Sequence, residues 1–554
     1  MDFNYSRQNL NRPEHILERA LEILPGALSW SILIGAVVTS IVWPLTAAVF
    51  TIAFILYWIF RLVYMNIFLV LSYALLFVDR STDWMERIAV IDRREIGFKS
   101  PLLARPDGTL AEKISQSVYL RQLRDLKKSG ALPPQSESLY HLVIIPAIKE
   151  GSDIVEPGIR SILAGRYPAR RIFILLALED RAAAPVKADM AALQKKYING
   201  FADFWVVTHP GNLPGEAAVK GANTSYAARQ ARRYFDERRI PYANVIVSCF
   251  DADTVPNPDY FSCLTYHFMI TPERTRRSYQ PIPVYHNNIW NAPGFARIID
   301  IGTSFFLLVE STNPSKLVTF SSHSMSFQAL VDIGYWPVDM ISDDSAIFWK
   351  AFIHYDGDYQ TVPLNTTVSM DIVEGQDRWQ TFVHIYKQKR RWAWGVENVP
   401  IVLRAFLRAE KISWRQKIAY GYKLVDSFVS WATWSFLLAL LSWLPGVFAG
   451  KEFASTTVFY IAPRVSGTIL SLSTIGIFIC MAVSLLMLPP RRRENNFWAN
   501  LRHGSEWLFI PAIVILLSAI PALDAQTRLM FGRYMEFWVT DKFRGKGKGE
   551  SAKD

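Results

Sequence analysis

The chain predicts an α/β domain set between N-terminal and C-terminal transmembrane helices, and three observations lead there. Long apolar stretches lie toward both ends of the 554 residues. Between them, residues 79–420 mix charged and apolar segments as soluble domains do. Within that middle part, from residue 141 onward, short apolar runs alternate with helical patterns, which is the arrangement of parallel strands covered by helices.

The N-terminal stretch comes first in the chain. Residues 27–78 contain one charge, Arg61. A crossing helix needs about 20 apolar residues, so there is room for two, turning near Trp43-Pro44. The short apolar core and cleavage site of a signal peptide are not seen, and the region is expected to remain as an anchor. Toward the other end, 424–447 and 465–488 are apolar enough to span, and 507–523 is a shorter candidate interrupted by Pro511 and Pro521. The expected partition is residues 1–80 as the first membrane segment, 81–395 as the central domain, 396–422 as amphipathic interface helices, 423–530 as the second membrane region and 531–554 as a basic tail.

Sixty Lys and Arg against 49 Asp and Glu give a net charge of +11. Basic runs flank the spans on the central-domain side, in "DRREIGFK", "LRAEKISWRQK" and "PPRRRENN", and such an excess marks the cytoplasmic face of a cell membrane, inner or plasma. The charge thus reads as topology and lipid-headgroup contact, with no nucleic acid as partner. Two spans before the domain and three after would leave the basic tail outside, against that rule. Either 507–523 is re-entrant or shallow, or a further crossing hides in 453–470, where Pro463 and Arg464 interrupt an apolar run. Cys249, Cys263 and Cys480 show neither paired spacing nor a metal-ligand pattern.

In the central domain the strands read as "HLVIIPA", "RIFILLALED", "FADFWVVTH" and "NVIVSCFDAD". Ligands of such sheets collect beyond the carboxyl ends of the strands. Glu150 follows the first strand, Glu179 and Asp180 the second, Lys220 sits in the loop after the third, and Asp251 and Asp253 follow the fourth. Four successive strands therefore bring ionisable groups to one edge, where solvated caps would require one or two. The pattern Asp-x-Asp recurs at Asp356-Gly357-Asp358, which reads as a solvated turn because Gly and Asp favour turns.

The runs "IIPAIKE", "LLALEDR", "KGAN", "DADT" and "SDD", with Gln388-Lys389-Arg390-Arg391-Trp392, resemble in order and spacing the membrane-embedded family 2 glycosyltransferases, the group that contains cellulose, chitin and hyaluronan synthases. By motif the resemblance covers residues 140–400, and by layout the remainder. It implies a Rossmann-like A-type glycosyltransferase domain and a nucleotide-sugar donor, in such a family a UDP-sugar. It also implies a Mg2+ or Mn2+ ion bridging the diphosphate, a task that suits carboxylate ligands. Carried over, Asp253 is the direct metal ligand and Asp251 touches the metal, sugar or ribose; Glu150, Glu179 and Asp180 lie near the uracil and ribose, and Lys220 near the base or phosphate. The family usually has Asn before the first acid, where this chain has Lys149.

In "WPVDMISDDSAIFWKAF" the catalytic candidates Asp343 and Asp344 open an amphipathic helix, and the resemblance makes Asp344 the general base. On the acceptor side it points to His323 in "FSSHSMSF" and to Gln388, Arg391 and Trp392. Near the end, Thr540 and Lys542 in "FWVTDKFRGKGKG" resemble a gating segment of some relatives. The segment "GVENVPIVLRAFLRAEKISW" reads as an interface helix with basic residues on its polar side.

The function expected from these residues is inverting transfer of a sugar to a growing polysaccharide at the cytoplasmic membrane face, coupled or not to export. The alternatives are single addition to a lipid acceptor, or a membrane scaffold that has lost catalysis.

Overall fold

The computed structural model describes residues 3–8, 10–94, 109–211, 213–441, 443–448, 455–489 and 504–536. The chain divides into a helical unit, Met1–Tyr73, Pro293–Thr312 and Phe382–Trp538, and a sheet unit built from Ala74–Ala292 and Asn313–Thr381. Residues 293–312 and 382–395, which the sequence reading counts into the central domain, thus cluster with the helical unit.

In the helical unit the two expected N-terminal helices are Arg12–Val42 and Pro44–Arg80, broken at Trp43. Pro44 opens the second, a position where its missing N–H costs nothing. Among the described residues three helices are long and apolar enough to cross a membrane: these two and Gly504–Met530. The third includes the 507–523 segment that read as short; its prolines do not end the helix but flank a π-helical turn at Ile515–Ala519, which absorbs the interrupted hydrogen bonding. The 424–447 stretch begins earlier, as the helix Trp414–Leu440, whose first half carries Lys417, Lys423 and Asp426. The helix Thr457–Met487 runs without a break through 463–464, so the extra crossing considered for 453–470 continues into the 465–488 stretch.

The interface segment also differs from its reading at one residue. Arg404, on the helix Asn398–Arg408, is 1 % exposed and does not join a polar outer face. Its Nε donates to Glu18 Oε2 at 2.7 Å and its Nη2 to the Ser6 carbonyl at 2.9 Å. A buried charge must be paired, and the acidic start of the Arg12–Val42 helix supplies the partner.

The sheet unit holds one eight-stranded sheet in the order β3-β2-β1-β4-β7-β6-β8-β5, with β1 Tyr140–Ala147, β2 Ile172–Glu179, β3 Asp203–His209, β4 Val245–Cys249, β5 Val255–Pro256, β6 Arg277–Val284, β7 Ser324–Ser326 and β8 Gln360–Ser369. The α/β class is the one expected. Strands β3, β2, β1 and β4 pair in parallel, as their unbroken apolar runs require, since both faces are covered. Val143, Ile174, Leu176 and Phe250 are fully buried between sheet and helices.

Beyond β4 the direction alternates, because β7 runs antiparallel to both β4 and β6, while β6 and β8 are parallel to each other. Two reversals return β6 and β8 to the direction of β4. Their carboxyl ends, and the segment that enters β7, therefore reach the same edge as the ends of β1 to β4.

Candidate active site

At that edge the turn after β4 presents Asp251 and Asp253. Asp253 is buried at 3 % exposure, and its Oδ2 accepts the backbone N–H of Asp371 at 3.0 Å. Asp251 is more open; its Oδ1 accepts from Lys220 Nζ at 2.8 Å and its Oδ2 from Ser321 Oγ at 2.5 Å.

Lys220 is the first residue of the helix Lys220–Glu237, not a member of the preceding loop. Its neighbour Gly221 explains how the helix comes so close: a Cβ there would lie 2.2 Å from the Pro337 carbonyl and 3.2 Å from Asp343 Cβ. Only a residue without a side chain lets the Lys220 turn rest against the segment that leads into the acidic helix Asp343–His354. In that position Lys220 Nζ also donates to Asp344 Oδ1 at 3.1 Å. Burial alone disfavours charge on this amine, but Asp251 and Asp344 outweigh it and hold the ammonium well above its ordinary pKa.

The two acids of the helix start divide as their spacing suggests. Asp343 is buried, whereas Asp344 is partly open to solvent. Thr319 Oγ1 donates to the Asp344 carbonyl at 2.6 Å and ties the helix start to the segment before β7. His323 is fully buried; burial pushes it below its ordinary pKa despite the nearby Asp344 carboxylate. The neutral ring donates Nδ1–H to the Phe320 carbonyl at 3.0 Å, with Asp344 Oδ1 at 4.0 Å. Ser322, beside it, holds φ at 59°, a region that a residue with a side chain occupies only when its surroundings impose it. Its Oγ lies 2.8 Å from Thr254 Oγ1.

The remaining strand-end acids lie farther along the edge. Glu150 Oε2 accepts the backbone N–H groups of Ile148 and Lys149, at 2.9 and 3.0 Å. Glu179 pairs with Arg181 at 2.5 Å, and Asp180 with Lys187 at 3.3 Å. The structure thus brings Lys220, Asp251, Asp344 and His323 into one cluster with Asp253 beside it, and places Glu150, Glu179 and Asp180 at the ends of the neighbouring strands.

Gln388, Arg391 and Trp392 belong to the helix Arg378–Ala393, in its part within the helical unit. Gln388 is buried; Arg391 and Trp392 are half-buried. Between them Lys389 is buried, with Nζ 2.7 Å from Asp300 Oδ1 and 3.8 Å from the centre of the Trp392 ring. Thr540 and Lys542 lie outside the described residues.

Four polar residues at the edge escape the sequence reading: Ser321, Thr319, Asn287 and Asp371. "YHNN" follows β6 and "MDIVE" follows β8, the same apolar-run-then-polar signal that marks Asp251. The signal acquires meaning only once β6 and β8 are known to run parallel to β4.

The donor set suits a hard divalent cation, being all carboxylate oxygen. Among the described residues no group of three His, Cys, Asp or Glu could hold a metal ion. Asp251 and Asp253 offer carboxylate oxygens, the donor type that hard divalent cations take, and such an ion can be held by one or two carboxylates with substrate phosphates and water completing its shell.

Comparison with known proteins bears on this edge. The family described as "Glycosyl transferase family group 2" matches residues 246–488, from β4 into the helix Thr457–Met487. A poly-beta-1,6-N-acetyl-D-glucosamine synthase of a Staphylococcus epidermidis strain is 25 % identical over 338 residues, 59 % of this chain and 71 % of that protein. A second Staphylococcus epidermidis protein of the same description is 24 % identical over 269 residues, covering 47 % of this chain and 56 % of its own length. Among solved structures, a mannosyltransferase from Pyrobaculum calidifontis in complex with GDP-Man and Mn2+ superposes with a TM-score of 0.38 at 12 % identity, over 76 % of this chain and 98 % of that one.

Proposed function

We propose that this chain, which carries a family 2 glycosyltransferase domain, transfers a sugar from a UDP-sugar to a growing polysaccharide at the cytoplasmic face of a membrane, with inversion at the anomeric carbon. The observation that carries the reading is the shared cation. Lys220 lies 2.8 Å from Asp251 and 3.1 Å from Asp344, so the donor-side acid and the candidate base converge on one ammonium. The polysaccharide acceptor is supported by the relatives at 25 % and 24 % identity, both named as polysaccharide synthases. The membrane is supported by the three long apolar helices, and the cytoplasmic orientation by the basic runs beside them.

In this reading Asp344 takes the proton from the acceptor hydroxyl. A positioned carboxylate of this kind contributes about 10^2 to 10^4 in rate. While Asp344 is paired with Lys220 its lone pairs are engaged, and a donor diphosphate competes for the same ammonium. Donor binding would draw Lys220 away and free the base for the hydroxyl. Asp253 and Asp251 would hold Mg2+ or Mn2+, which neutralises the departing diphosphate when bound. Attack by the hydroxyl on the face opposite the leaving group inverts the centre, so an alpha-linked donor yields a beta linkage.

Glu150, Glu179 and Asp180 fall to the nucleoside end of the donor. Gln388, Arg391, Trp392 and His323 fall to the acceptor, the indole face stacking on a sugar ring. Thr540 and Lys542 fall to a gate.

Membranes carrying the protein, supplied with labelled nucleotide sugars and followed by linkage and length analysis of the product, test this. Beta-linked polymer from a UDP-sugar, lost in Asp344→Asn, is the expected result. A product one sugar long on a lipid would replace the polymer reading, and no transfer from any nucleotide sugar would end it.

A further inference from the structure

We infer that Asn287 is a positioning residue that fixes the Asp253 carboxylate for its cation, an inference that rests on the reading of Asp253 as a metal ligand. Three hydrogen bonds close a ring at the strand edge. Asn287 Nδ2 donates to the Asp253 carbonyl at 2.9 Å and to Asp371 Oδ1 at 2.8 Å. The Asp371 backbone N–H donates to Asp253 Oδ2 at 3.0 Å. Both partners of the amide are acceptors, a carbonyl and a carboxylate, so the nitrogen must be the atom that faces them.

The ring ties three segments that are far apart in sequence: the turn after β4, the segment after β6 and the segment after β8. It is held from behind by sheet pairing. Met370 N donates to the Val284 carbonyl at 2.8 Å and Asn287 N to the Met370 carbonyl at 3.3 Å. The backbone of Asp253 is gripped from one side and its carboxylate from another, which sets both the position and the rotation of the acid.

The chemistry of the tie also matters. Asp253 and Asp371 are both buried, at 3 % and 7 % exposure, and two carboxylates in one place repel. A Lys or Arg between them would offset that repulsion, but its charge would compete with a divalent ion for the same oxygens. An amide satisfies the acceptors without adding charge, so the negative field stays available to a cation. Partners that orient a ligating carboxylate in this way typically contribute 10-fold to 100-fold in metal affinity.

The neighbouring Asn288 provides the control. Its side chain binds the Ile372 backbone and Glu374, at 2.7 to 3.0 Å. It therefore fastens the same two segments to each other without any of these bonds reaching Asp253 or the Asp371 carboxylate.

The experiment is UDP-dependent Mn2+ binding by the full chain in detergent, read from the electron paramagnetic resonance signal of free Mn2+. It is run beside the Mn2+ concentration needed for half-maximal transfer. Asn287→Ala and the similarly sized, uncharged Asn287→Leu are expected to weaken Mn2+ binding about 10-fold to 100-fold. In Asn287→Ala, transfer at saturating Mn2+ recovers most of its rate, so the loss falls on metal affinity and not on turnover. Asn288→Ala is expected to bind Mn2+ near the wild-type value. Wild-type binding in both Asn287 variants overturns the inference, and so does an equal loss in Asn288→Ala, which would mean that packing of the segments is what counts. Asp253→Asn separates the two levels: if it binds Mn2+ as the wild type does, the metal reading beneath the inference falls, whereas loss there with none in the Asn287 variants removes the inference alone.

Discussion

The sequence writes Asp-x-Asp twice, and the two copies live in different physical worlds. Asp251 and Asp253 stand at the carboxyl end of a buried parallel strand; Asp253 is almost sealed from solvent, and Asp251 meets a buried ammonium at 2.8 Å. Asp356 and Asp358 stand in a turn after the helix Asp343–His354. Asp356 adopts a φ of 52°, and Asp358, half exposed, meets Arg276 and Arg277 at 3.3 Å each. The pair with Arg276, exposed on both sides, is of a kind that contributes about 0–1 kcal/mol. The difference teaches that the tripeptide carries no chemistry by itself. What matters is whether the strand before it is central in the sheet and what other strand ends arrive beside it.

The comparison can be broken most directly at Asp253. Asp253→Asn should abolish transfer and its response to added Mg2+ or Mn2+, measured as product formed across a metal titration. Retained, metal-responsive transfer would put the first copy on the level of the second.

The next effect is at Asp344. Asp344→Asn keeps the shape and most hydrogen bonds but cannot accept a proton, so single-turnover transfer at saturating donor should fall by about 10^2 to 10^4, with UDP-sugar binding retained. Asp343→Asn should slow this step less, since Asp343 is buried at 3 % exposure whereas Asp344 is the partly open acid that Lys220 binds. A slower Asp343 variant would reassign the base.

A smaller effect concerns the crowding of acids on the first copy's side. Glu374, beside Asp371, is pushed up to about 7, first by burial and then by the Asp371 charge. Its folded-state pKa lies above the ordinary 4.5, so folding favours the protonated acid. The contribution to stability is complete below about pH 4.5 and is lost as pH rises through about 7. The unfolding midpoint of the wild type should therefore fall more between pH 5 and pH 8 than that of Glu374→Gln. Equal slopes would mean that Glu374 carries no such linkage.

The smallest effect is expected from the second copy. Asp356→Asn and Asp358→Asn should leave transfer rate and metal response close to wild type. A large loss in either would show that the turn does more than close the chain.

Much of the sheet unit was legible because parallel strands covered on both faces read as unbroken apolar runs. The acids after "HLVIIPA", "RIFILLALE" and "NVIVSC" therefore stood out against their surroundings. The motif marks Lys220 but its position reads as loop, since without Gly221's close approach to Pro337 nothing local says that the helix begins there. The buried Arg404 read as a surface charge, because amphipathic spacing identifies a polar face but not what covers it.

The sequence by itself determined the long apolar segments, the order of the first strands and the ionisable groups at their ends, because each follows from local periodicity and composition. Only the tertiary structure decided that one ammonium serves both Asp251 and Asp344, and that Asn287 and Asp371 stand against Asp253. Those contacts join residues up to 124 positions apart. They depend on two reversals of strand direction, at β7, which no periodicity records: side-chain alternation is the same whether a strand runs up or down, and the direction is settled only when the strands pair.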